Sequence, residues 1–176
     1  MAQLRLIAVL ALAACRQSAE AGPGSGITPP TGWRALPDLA TAVTNAAKTE
    51  HVTVDGSEAW GEPAMGCYGA WFSMRGGSAA PDVMAQQVLD DLAPETERGR
   101  GIAPALAGIA IRDVVKPAAG ADRGTLSLAF TRDKYRGRLR AQLDSTGRIA
   151  ALACFWNERE PIACESACTG LVGRLP

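Results

Sequence analysis

A single histidine, His51, stands in a chain of 176 residues, and aromatic residues make up only 5% of it. So little imidazole removes the side chain from which most zinc sites and general bases are built. Net charge is missing too: 18 Lys and Arg balance 18 Asp and Glu, which argues against nucleic acid as a partner. After the first fifteen residues there is no second long apolar run, hence no candidate transmembrane helix. No internal repeat is visible. The common catalytic signatures are absent: no G-x-S-x-G elbow, no Ser-x-x-Lys and no H-E-x-x-H. Gly99-Arg100-Gly101 follows no strand, and Pro104 interrupts what comes after it, so it opens no dinucleotide fingerprint. His51 beside Glu50 reads as an ordinary strand-end residue, and Asp90-Asp91 and Glu158/Glu160 read as solvated carboxylates. These absences lead to a non-catalytic protein with no cofactor and no metal site.

What is present starts at the amino terminus. Arg5 and the terminal amine supply positive charge, and Leu6 to Ala14 is uninterruptedly apolar. That is the layout of a secretory signal, and it is too short to span a bilayer. Leu12-Ala13-Ala14-Cys15 resembles the lipobox of bacterial lipoproteins. The resemblance implies cleavage before Cys15, diacylglycerol on its thiol and acylation of the new amino terminus. Two or three acyl chains hold a protein stably on a membrane where one would not. Ala19-Glu20-Ala21 offers an alternative, an ordinary signal peptidase site that would release a soluble protein. Arg16 after Cys15 differs from the Asp of enterobacterial-type retention signals. For a Gram-negative source this favours the outer membrane, again by resemblance.

The chain divides into a signal peptide, 1–14, a lipidated Cys15 with a flexible tether to residue 31, and one domain, 32–176. Arg16 to Thr31 is rich in Gly, Pro, Ser and Ala and has almost nothing to bury. In the domain, Asp38 is placed to cap a helix running to about Lys48. His51 to Val54 begins a strand, and Asp55-Gly56 is predicted to turn it. Met65 to Arg75 carries bulky residues on both faces, which predicts a central strand covered on both sides. Pro81 opens a helix that ends before Pro94. Gly108 to Val115 is a further strand after the loop 95–108.

Leu126, Leu128 and Phe130 alternate with polar residues, as do Leu139, Ala141 and Leu143 with Arg136, Arg138 and Arg140. With Ile149 to Trp156 they form an antiparallel meander. Pro161 then opens a final helix on which Cys164, Cys168, Leu171, Val172 and Leu175 share a side. The fold class is α+β: an antiparallel sheet of about five to seven strands covered by about three helices. In element order, and in a tryptophan near the domain start (Trp33), it is similar to the Mog1/PsbP-like folds. The likeness implies shape alone.

Setting Cys15 aside leaves Cys67, Cys154, Cys164 and Cys168, an even number that in an exported protein predicts two disulfides. Three pairings are open. The one preferred here, Cys154–Cys164 with Cys67–Cys168, staples the last helix to the sheet twice. Zinc would need tighter spacing or a nearby histidine.

Two surfaces qualify for binding. Arg136, Arg138 and Arg140, with Arg132 and Lys134 at the turn, set guanidinium forks along one strand face, suited to phosphate or carboxylate. Trp60, in a polar turn-prone stretch, and Trp156 with Arg159 suit a recognition loop. Solvated charge and core packing are the competing readings of the two. The function that follows is a membrane-anchored envelope lipoprotein that binds an envelope protein or cell-wall component. An inhibitor of an envelope hydrolase, or an enzyme with an unrecognised site, stands as the alternative.

Overall fold

A computed structural model describes residues 24–49, 53–92, 109–158 and 161–175. The sheet has seven strands, every neighbouring pair antiparallel. In chain order they are β1 (Arg34–Ala35), β2 (Thr53–Glu62), β3 (Cys67–Arg75), β4 (Ala110–Val115), β5 (Arg123–Arg132), β6 (Tyr135–Asp144) and β7 (Arg148–Asn157). Their spatial order is β1-β2-β3-β7-β6-β5-β4. Three helices are described: α1 (Pro37–Thr49), α2 (Pro81–Leu92) and α3 (Pro161–Val172).

The period-2 alternation of the meander sets which layer each residue joins. Leu126, Leu128, Leu139, Ala141, Leu143 and Ile149 point to one face, where they bury with Phe72 and Met74 of β3 against Val43 of α1 and Met84 and Val88 of α2. Residues of opposite parity on β3 and β7, among them Trp71, Leu152 and Trp156, bury against Cys164, Cys168 and Leu171 of α3. The result is three layers, α1 and α2, then sheet, then α3. β3 and β7 are covered on both sides, in keeping with the apolar residues on both of their faces. Each large side chain so buried contributes about 1.5–3 kcal/mol.

The disulfides join Cys67 to Cys164 and Cys154 to Cys168, with Cα separations of 5.6 and 5.3 Å. This corrects the preferred pairing. Cys67 lies opposite Trp156, and Gly69 opposite Cys154, so Cys67 sits nearer the end at which β7 leaves the sheet. α3 follows at once and runs back over the sheet, which brings its first cysteine over Cys67. Cys168 lies one turn further, about 6 Å on, and two residues along a strand cover about 7 Å. The two steps match, and the bridges run side by side instead of crossing.

Other expectations shift locally. Asp55-Gly56 is not a turn: β2 continues through it, with a bulge between Val54 and Gly56 opposite β3. Arg75 Nε donates to Asp55 Oδ2 at 3.0 Å and fixes the bulge. The hairpin closes instead over Pro63–Met65, a single 3-10 turn ending at Gly66 with φ 67. Pro37, not Asp38, starts α1, and Asp38 lies in its first turn. α3 ends at Val172, and Leu175 is buried beyond it. Glu50, His51, Val52 and the loop 95–108 lie outside the described residues.

Residues 24–31, expected as the end of a flexible tether, make contacts with the domain. Ser25 donates to Glu58 of β2 through both its amide (2.6 Å) and its hydroxyl (2.7 Å). Ile27 packs on the α3-side cluster, and the Thr28 carbonyl accepts from Arg174 just past α3. Residues 24–31 are therefore a strap lying on the domain, because Ile27 and Ser25 do have partners to bury against.

Candidate functional site

α3 packs over β7, β6 and β3, and no described helix packs on this face over β5 and β4. The open half of the face is laid out in rows by the strand register. Arg112 of β4 and Arg138 of β6 both lie opposite Ala129, Arg140 lies opposite Ser127, and Arg136 lies opposite Thr131. Ala129 is buried although no described helix packs above it. Small residues on β5 thus floor a strip whose walls carry guanidinium groups.

The arginines are not equivalent. Arg136 Nε donates to Glu158 Oε1 at 2.8 Å, and this carboxylate holds the Arg136 pKa above its ordinary value. Arg138 reaches Glu165 of α3 at 3.6 Å, a contact between half-exposed side chains. Arg140 has no carboxylate partner among the described residues. The Nε atoms of Arg138 and Arg140 are both buried with no hydrogen-bond partner among those residues. With each Nε buried, it is the terminal nitrogens of two neighbouring guanidinium groups on one strand face that are left to meet a phosphate or carboxylate oxygen.

Next to this strip a groove of about 540 Å³ opens between the strap and the sheet. Ile27, Trp71, Ala150 and Leu175 give it an apolar floor, and Arg123, Asp144 and Arg148 form its rim. Asp144 Oδ1 also accepts from the Thr146 and Arg148 amides. The Thr146 hydroxyl bond, first, and these amide bonds lower the Asp144 pKa, keeping it ionised.

The structure assembles only part of the expected surfaces. Arg136, Arg138 and Arg140 do share one face. Arg132 has the opposite parity, with Phe130, and Lys134 lies 5.7 Å from the Tyr135 ring. The aromatic surface does not form. Trp60 and Trp156 are 7% and 3% exposed and belong to the cluster under α3. The polar stretch Ser57 to Glu62 is strand, which turns Trp60 inward. Cys15 and Arg159 lie outside the described residues. Arg112 and the groove were not legible in sequence: Arg112 takes its place through the bulged register of β4 on β5, and the groove joins the strap to strands distant in the chain.

Searches against protein-family models and curated proteins find no match to this chain. Among the described residues no cluster of His, Cys, Asp or Glu could hold a metal ion. No described helix is long and apolar enough to cross a membrane.

Proposed function

We propose that the chain is an exported lipoprotein, held on the cell envelope through lipid on Cys15, whose domain is a non-catalytic binding module. Its binding face is the open half of the sheet. The observation that carries this reading is Arg140, a guanidinium on a strand face with no carboxylate partner among the described residues, beside Arg138 whose Nε is equally unpartnered. A merely solvated charge ladder is expected to alternate signs or pair off, as Arg136 does with Glu158. Two disulfides support an oxidising compartment, in keeping with export. The ligand chemistry is an anionic group, phosphate or carboxylate, on an envelope component.

Two measurements test the reading. Intact mass of detergent-extracted protein should begin at Cys15 plus acyl chains, with no thiol alkylated before reduction. A chain starting at Gly22 would remove the anchor. Envelope pull-down should lose its partners with Arg138→Gln/Arg140→Gln while the variant stays folded; unchanged capture sinks the binding face. Turnover of a substrate that survives this double substitution would favour an enzyme instead.

A further inference from the structure

We infer that the open sheet face docks on the surface of the membrane that carries the protein, through the phosphates of anionic lipids. The inference rests on the reading of Cys15 as the anchor and names the ligand of the face proposed above.

The strap carries the argument. Glu58 lies opposite Trp71 on β3, and Ile27 packs in the cluster that contains Trp71 and α3. The chain therefore leaves the domain towards Cys15 on the same side of the sheet as Arg138 and Arg140. The nine Cα steps from Cys15 to Gly24 span at most about 32 Å, so the anchor keeps that side close to the bilayer. A tether leaving from the α1 and α2 side would have presented the opposite face.

The chemistry of that side fits a lipid surface. Among the described residues Arg140 has no carboxylate partner and Arg138 has only the half-exposed Glu165, which a lipid phosphate can displace. Glu158, Asp113 and Asp144 also face this side, but Glu158 is taken by Arg136 and Asp113 lies beside Arg112 at 4.0 Å. Two large apolar side chains are exposed on this side of the sheet. Val115, 60% exposed, shares the row of Ser127 and Arg140. Ile162, 84% exposed, lies on α3 about 200° around the helix from Cys164, hence on the surface turned away from the sheet. Guanidinium groups and exposed apolar side chains on one side of a domain are the composition of a headgroup-level contact.

Arginine-selective dicarbonyl labelling of the lipidated protein, read by mass spectrometry, tests the inference. In phosphatidylglycerol vesicles Arg140 and Arg138 should label about fivefold more slowly than in phosphatidylcholine vesicles, and high salt should erase the difference. Arg34, opposite Gly61 on the other face, serves as the control and should label equally in both. Equal labelling of Arg140 in the two lipids overturns the inference. So does equal protection by inorganic phosphate alone, which would make the strip a small-anion site. Should intact mass show no lipid on Cys15, the anchor reading fails by itself. Labelling of the unlipidated chain with added vesicles then decides the face independently.

Discussion

Cys67 and Cys164 are bonded across 97 positions of sequence, at the end of the sheet where β7 gives way to α3. The second bridge, Cys154–Cys168, closes only 14 positions. Constraint on the unfolded chain grows with the logarithm of loop length, so the long bridge contributes more, by about 1.5–2 kcal/mol in a chain-entropy account. Urea unfolding of Cys67→Ala/Cys164→Ala should therefore show the larger loss. A larger loss on removing Cys154 and Cys168 would contradict the ordering, and peptide mapping without reduction checks the pairing directly.

Trp156 separates core from surface. It is buried beneath α3, so Trp156→Ala should cost about 3–5 kcal/mol. Arg140→Gln, at a partly exposed position with no carboxylate partner among the described residues, should stay within about 0.5 kcal/mol of wild type. Thermal melts of the two variants measured side by side give the comparison, and similar melting points would refute the burial of the indole.

Gly147 occupies φ 86, and a Cβ there would stand 2.6 Å from the Gly76 carbonyl oxygen. Neither the backbone angle nor the contact can relax cheaply, since the obstacle is main chain. Gly147→Ala should destabilise by about 2–4 kcal/mol, beyond what a glycine-to-alanine change costs where the space is open. Gly120→Ala shares the positive φ without the contact, and denaturant midpoints should show it milder.

Asp144 gives a pH signature. Its folded-state pKa lies below the ordinary aspartate value of 3.8, so its contribution to stability is present above that value. As pH falls through the folded pKa the contribution disappears. Asp144→Ala should be less stable at neutral pH, and its stability should fall less steeply below about pH 4. Parallel acid profiles for variant and wild type would show that the Thr146 and Arg148 contacts carry no weight.

Glu58 holds the strap. Substituting Glu58→Ala removes the acceptors of both Ser25 bonds. Amide exchange at Ser25 should accelerate by at least about tenfold, with the rest of β2 unaffected. Unchanged exchange at Ser25 would mean that Ile27 alone fixes the segment.

Much of the fold was legible from local pattern. The alternation at Leu126 to Phe130 and at Leu139 to Leu143 assigns two strands and their faces, and the doubly bulky run at Cys67 to Met74 marks a central strand. How elements pair and pack on one another is not carried by local pattern, and the missed features trace to it. Asp55-Gly56 has turn composition, yet β3 supplies a full ladder and Arg75 a partner, so the segment bulges within the strand. Trp60 and Trp156 sit in polar surroundings, and only the placement of α3 above β3 and β7 decides that they are interior. The same placement orders the cysteines. For the site, the Arg136, Arg138 and Arg140 ladder was readable from period 2, whereas Arg112 joins only through β4.

The strap also defines a path for force. Tension arriving at Gly24 reaches Glu58 through Ser25, and reaches the end of α3 through Thr28 and Arg174. That helix is riveted to the middle of the sheet by two covalent bonds. A pull from the amino-terminal side is thus shared with β2 through Glu58 and with β3 and β7 through α3, before it reaches the edge strand β1.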